Sequence, residues 1–252
     1  MNWCGYDWIT QERWGKIHPT KPISWYDDSA VVIDDNNHLI LKTHKNPKYF
    51  DELGLTSPIG SGLVSCTEEF GYGYFSIEAV LPKGANLWPA FWMWAWDRYP
   101  PEIDILEAYS SKRGSYFNWT HDLLRGHFWR VESNVHLKDR VKGAEVGGEN
   151  ADGTHRYQLG AKTSYWTWQD PTKFLIDYSL LWLPHKVEIL YDNKVVRRIT
   201  DPAVLEQLKD VKMNVIINNF VTADVSLEDF QPSEFTIASF HHIPMSDLSY
   251  LK

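Results

Sequence analysis

The stretch "LWPAFWMWAWDRYPPEIDILEAY" (87–109) places three carboxylates, Glu102, Asp104 and Glu107, directly after a run dense in tryptophan. Acids at i, i+2 and i+5 fit neither regular element. On a helix, Glu102 and Asp104 would point about 200° apart. On a strand those two share a face and Glu107 points the other way. One β-bulge, with Ile105 or Leu106 as the extra residue, resets the alternation and turns all three acids to one side. Ile103 and an Ile or Leu then face the core. In the preceding run Phe91, Met93 and Ala95 alternate with Trp92, Trp94 and Trp96, so both faces are apolar. One face suits a core, the other a second protein layer or a ligand. Trp94 and Trp96 are read as core-filling rings, Trp88 and Trp92 as ligand-facing ones.

Outward from this stretch, short alternating runs separated by Gly, Pro, Asn and Asp predict many β-strands. "AVVIDDNNHLILKT" (30–43) reads as strand, turn, strand. "GYFSIEAVL" (73–81) puts Phe75, Ile77, Ala79 and Leu81 on one face. "KVEILYDNKVVRRI" (186–199) reads as a hairpin whose Asp192-Asn193 pair suits positive φ. "MNVIINNFV" (213–221) and "EFTIASFHHI" (234–243) are late strands. One helix is expected, with Asp201 as N-cap and Pro202 at its first position. Residues 142–156 read as a long surface loop and "GSG" (60–62) as a turn rather than a phosphate loop. More than ten strands and one helix, without repeat or linker, predict a single domain over 1–252: an all-β, jelly-roll sandwich of two antiparallel sheets.

The chain has 252 residues, among them 13 Trp, 13 Tyr and 11 Phe, more rings than a core of this size needs. Surplus rings suit a ligand surface such as the flat face of a sugar. The formal charge of −8 argues against nucleic acid as partner. No segment approaches the ~18 apolar residues of a membrane span, and no signal peptide is visible at the N-terminus. Cys4 and Cys66 permit one disulfide and demand none. His121, His127, His136, His241 and His242 show no metal-ligand spacing. "NWT" (118–120) is a glycosylation acceptor only in a eukaryotic secretory pathway.

An acid triplet on one face has a direct use. Retaining glycoside hydrolysis needs a nucleophilic carboxylate and a proton-donating carboxylic acid about 5–5.5 Å apart, close to the reach across a small bulge. Asp104 between them would raise the pKa of one neighbour by charge repulsion and hydrogen bonding. The competing readings are an acidic, solvated strand edge or a divalent-cation site. The apolar and aromatic flanks weigh against both.

Residues 60–109 carry a resemblance. "GLVSCTEEFGYGYFSIEAVLPKGANLWPAFWMW" followed by "EIDILE" is similar to glycoside hydrolase family 16, in its laminarinase-like branch with the bulged Glu-x-Asp-x-x-Glu element. The similarity continues more weakly through 131–139, 178–199 and 213–219. It implies a curved jelly roll with an open cleft and endo-acting hydrolysis with retention. Carried over by position, Glu102 matches the nucleophile, Asp104 the assisting carboxylate and Glu107 the general acid/base. Trp88 and Trp92 match cleft tryptophans, and His136 a histidine on a neighbouring cleft strand. Asn218 and Asn219 lie on a cleft-facing strand, with Asn218 the substrate-binding candidate. The resemblance implies a polysaccharide substrate, action as a monomer outside the cell or at its surface, and no required cofactor. A structural calcium, seen in many relatives on the outer sheet, is left open, as no loop has a recognisable ligand pattern.

The end of the chain and segment 112–170, with Trp119, Trp129, Trp166 and Trp168, depart from the family pattern, and such loops shape substrate subsites. The leading expectation is hydrolysis of a β-1,3- or mixed-linkage β-glucan. A red-algal galactan (agarose, porphyran or carrageenan) is the alternative; sulfated forms call for local Arg and Lys. A non-catalytic glycan-binding sandwich ranks last, because the acids that such relatives generally lose are all present.

Overall fold

The structure is a computed structural model that describes residues 1–18, 21–111, 116, 128–149, 153–166 and 169–248, with the side chains of 128–130 and 161–166 left aside. His121, His127, Trp119, Trp168 and the sequon at 118–120 lie outside the described residues, as do the side chains of Trp129 and Trp166. The strands in chain order are β1 (Asn2–Trp3), β2 (Tyr6–Ile9), β3 (Ser24–Tyr26), β4 (Val31–Ile33), β5 (Leu39–Phe50) and β6 (Leu55–Ser61). Then follow β7 (Leu63–Cys66), β8 (Gly73–Val80), β9 (Leu87–Trp94), β10 (Glu102–Glu107), β11 (Phe128–Leu137) and β12 (Glu145–Glu149). The last are β13 (His155–Trp166), β14 (Ile176–Leu183), β15 (Lys186–Tyr191), β16 (Lys194–Ile199), β17 (Asn214–Val221) and β18 (Ser233–Pro244), with the helix α1 (Pro202–Gln207) before β17.

Two sheets form the sandwich. One, the groove sheet, runs β1-β2-β7-β17-β9-β10-β11-β13-β12. The outer sheet runs β16-β15-β14-β8-β18-β5-β6-β3, with β4 added against β5. Among the described residues only β3 and β6 pair in parallel. The jelly-roll architecture is the one expected.

Alternation explains which strand faces which way. On β8, Phe75, Ile77 and Ala79 are buried while Glu78 is exposed. On β9, Phe91 and Met93 join the main core between the sheets, whereas Trp94 and the partly buried Trp92 cluster on the opposite face. On β17, Val215 and Ile217 enter the same main core. Asn219 follows them inward, donating to the Leu41 carbonyl at 3.0 Å and Ser233 Oγ at 3.2 Å. Asn218 therefore takes the groove side. Each fully buried large apolar side chain contributes ~1.5–3 kcal/mol, so reversing any of these faces is costly.

Local signals hold at the ends. Asp192 and Asn193 turn the β15–β16 hairpin with φ of 47° and 60°. Asp201 Oδ1 accepts from the Ala203 amide at 2.8 Å, capping α1. Two expectations fail. Gly60-Ser61 is not a turn but the end of β6, and Gly62 is where the chain crosses from the outer sheet to β7 in the groove sheet. A Cβ at Gly62 would stand 2.7 Å from the Ala30 carbonyl oxygen, so the crossing needs glycine for space. Within 142–156, Glu145–Glu149 is an edge strand on β13, because the ladder supplies pairing that a polar, glycine-rich composition does not advertise. Cys4 and Cys66 are free thiols.

Candidate active site

β10 is where the two periodicities collide. Against β9, Asp104 pairs with Trp92 and Leu106 with Phe91, so Ile105 is the extra residue. Against β11, Asp104 pairs with Asn134 and Glu107 with Glu132, which repeats the slip. Ile103, Ile105 and Leu106 are all buried in the main core. Both candidates for the extra residue thus face inward, and the acids share the groove side.

There Glu102, Asp104 and Glu107 line a cavity of about 670 Å³ together with Trp88, Trp92, Trp94, His136 and Asn218. Asp104 and Glu107 are 3% and 7% exposed. His136 Nε2 lies 3.3 Å from Glu102 Oε1 and 3.2 Å from Asp104 Oδ2. Trp92 Nε1 donates to Asn218 Oδ1 at 2.8 Å, which fixes the indole against β17. Asn218 Nδ2 in turn donates to the Trp88 carbonyl at 3.3 Å. All seven residues singled out from the sequence therefore converge on one groove. Trp94 stays buried beneath Trp14, which packs edge-on to it at 5.0 Å.

Glu107 is the best-held acid. Its Oε1 accepts from Tyr109 OH at 2.8 Å and from Trp88 Nε1 at 3.2 Å, and its Oε2 accepts from Asn134 Nδ2. Burial, with Asp104 adding repulsion, pushes its carboxyl up to about 7, against the lowering effect of Tyr109 and Asn134. Glu102 is pushed well above the usual carboxylate range by burial first, then by the charges of Asp104 and Glu107.

Several groove residues were not singled out from sequence. Tyr109 and Asn134 carried a signal, since Tyr109 is two residues beyond Glu107 and Asn134 two before His136, hence on the same faces. The wall made by Glu12, Arg13, Trp14 and Lys21 carried none, because it is brought in from the N-terminal segment. Glu12 is buried, donated to by Tyr26 OH at 2.9 Å, and burial pushes its carboxyl up to about 8. Arg13 lies 4.5 Å over the Trp94 ring, Lys21 4.6 Å over Trp88 and Arg156 5.0 Å over Tyr99. The ligand atoms of Glu102, Asp104 and His136 lie within 4.8 Å of one another, close enough for a cation, on the same groups an acid–base mechanism would use. On the outer sheet no such group of three carboxylate, imidazole or thiol ligands gathers among the described residues.

The model of the glycosyl hydrolases family 16 matches residues 20–231. The chain belongs to this family. The family 16 match takes in β10, its bulge and every groove residue named above except Glu12, Arg13 and Trp14. Among curated relatives, an endo-1,3-1,4-beta-glycanase, ExsH, of Rhizobium meliloti is 22% identical over 160 residues, covering 62% of this chain and 28% of its own. A probable xyloglucan endotransglucosylase/hydrolase of Arabidopsis thaliana, protein 28, is 25% identical over 180 residues, covering 71% and 45%. The chain thus spans less than half the length of these relatives. The laminarinase catalytic domain of Thermotoga maritima has the same fold, with TM-score 0.65 at 19% identity over 88% of this chain and 83% of that one.

Proposed function

We propose that this family 16 chain is a retaining endo-hydrolase of a β-1,3- or mixed-linkage β-glucan. The observation that carries the reading is the slip at Ile105, which turns Glu107 toward Glu102 and Asp104 on one groove floor. Two carboxylates flanking a one-residue bulge suit the roughly 5–5.5 Å separation of a double displacement. Glu102 attacks the anomeric carbon and forms the glycosyl ester. Glu107, protonated below about 7, gives its proton to the departing glycosidic oxygen. The resulting carboxylate then takes a proton from the water that hydrolyses the ester, and both acids return to their starting forms. Burial and the charge of Asp104 keep the acid's pKa high, and His136 Nε2 lies against both Glu102 and Asp104.

Trp92, held by Asn218, and Trp88 present ring surface for the apolar faces of pyranoses. The named activities of the bacterial relative and the laminarinase neighbour favour a β-glucan and internal cleavage. Such a polymer cannot cross a membrane, so the reading entails action outside the cell or at its surface.

A second reading has its own observation. Arg13, Lys21 and Arg156 line the groove and make no salt bridge among the described residues, which would suit the sulfates of a red-algal galactan.

One assay separates the readings: reducing ends released from laminarin, lichenan, agarose, porphyran and carrageenan, by the native chain and by Glu102→Gln. Release from the first two, lost in the variant and with β-configured first products by NMR, is the expected result. Reducing ends that persist in Glu102→Gln, or α-configured first products, overturn the assignment.

A further inference from the structure

Ile105 is the one residue of β10 without a Cα partner on either neighbouring strand. A bulge leaves its extra residue outside the ladder, and a buried carbonyl must find a donor elsewhere. The Ile105 carbonyl finds it across the sandwich: Tyr191 OH, at the end of β15 in the outer sheet, donates to it at 2.8 Å. Tyr191 is fully buried, and its ring is held edge-on to Tyr178 at 5.1 Å.

A second contact comes from the same hairpin. Arg197 on β16 donates from Nη1 to the Ser133 carbonyl at 2.7 Å and to Ser133 Oγ at 3.2 Å, and from Nη2 to the Leu159 carbonyl. Ser133 sits between Asn134 and Glu132, the β11 partners of Asp104 and Glu107, and so lies opposite the slip. Burial lowers the Arg197 pKa only to about 10, which leaves the guanidinium charged at neutral pH.

We propose that Tyr191 is a positioning residue for the reaction: it holds the bulge in register from the far sheet, and Arg197 braces the strand that faces it. Removing the phenol oxygen leaves a buried carbonyl without its donor. β10 relieves this by shifting at Ile105, and Glu107, two residues on, moves with it. Glu102 precedes the bulge and stays anchored between Trp94 and His136. The damage should therefore fall on proton donation rather than on nucleophilic attack. A displacement near 1 Å can cost about 100-fold in rate.

The inference rests on the proposed roles of Glu102 and Glu107, and its test uses two substrates of one β-1,3-gluco-oligosaccharide: the natural glycoside and an aryl glycoside whose leaving group needs no protonation. For Tyr191→Phe, kcat/KM on the natural substrate should fall about 10- to 100-fold while kcat/KM on the aryl glycoside falls less than about threefold. Thr43→Val, which removes a buried hydroxyl pair with Ser233 in the outer sheet, should lower Tm and leave the ratio of the two constants unchanged. If Tyr191→Phe does not fold, Arg197→Lys carries the test, because one ammonium cannot span the Ser133 and Leu159 carbonyls and the same selective loss is expected. Equal losses on both substrates, or none, overturn the positioning role. A native chain inactive on both substrates would instead refute the glucanase reading.

Discussion

Trp88 and Tyr109 stack at 5.1 Å with their planes 28° apart, and both donate to the same oxygen of Glu107. An aromatic pair thus does electrostatic work: its two polar hydrogens favour the ionised carboxyl while the rings around them exclude water and favour the neutral one. The balance leaves Glu107 at about 7, where an acid can both give and recover a proton.

The pH profile follows from that balance. Proton donation requires neutral Glu107, so activity should fall as pH rises through about 7. Tyr109→Phe removes a bond that lowers this pKa, and the alkaline limb should move up by roughly half a unit to one unit. A pH–kcat/KM series on laminarin checks it, and a downward move would contradict the role given to the phenol.

Stability carries the same signature. The Glu107 pKa is raised on folding from 4.5, so its contribution is present below about 4.5 and is lost as pH rises through about 7. Glu107→Gln, neutral at every pH, should therefore raise Tm more at pH 8 than at pH 4. The difference can reach a few kcal/mol, at about 1.4 kcal/mol per pKa unit. Thermal melts of both proteins at the two pH values measure it.

Asn218 should matter for binding rather than chemistry. Asn218→Ala frees the Trp92 indole from its 2.8 Å hydrogen bond without touching the acids. KM on a soluble β-glucan should rise roughly three- to tenfold, the worth of an aromatic contact of about 0.5–1.5 kcal/mol, with kcat within about twofold. Steady-state kinetics decide the split.

Gly160 on β13 guards the acid from behind. A Cβ there would stand 2.8 Å from Asn134 Oδ1, which already accepts from Gln158 Nε2 at 2.8 Å while Asn134 Nδ2 donates to Glu107. Gly160→Ala should displace Asn134 and lower kcat about tenfold or more, with circular dichroism unchanged; full activity would show that Asn134 is dispensable.

The acid-bearing strand was legible because its sequence breaks a rule: acids at 102, 104 and 107 cannot share a face without a bulge. The period-2 pattern likewise read β8 and the hairpin at 186–199 correctly, down to Asp192 and Asn193 at positive φ. β12 was missed because Glu145–Glu149 owes its extended form to pairing with β13 rather than to its own residues. Tyr109 and Asn134 could have been inferred from alternation; Glu12 and Arg13 could not.

Local sequence by itself determined the strand periods, the caps and turns, and the bulge that puts three acids on one face, because those depend on neighbours a few residues apart. Only the tertiary structure decided which bulge residue is unpaired, which asparagine of the 218–219 pair meets the groove, and which distant residues complete the site. Tyr191 reaches Ile105 across 86 residues of chain, and Trp92 meets Asn218 across 126. No local pattern encodes such pairings; the stacking of two sheets fixes them.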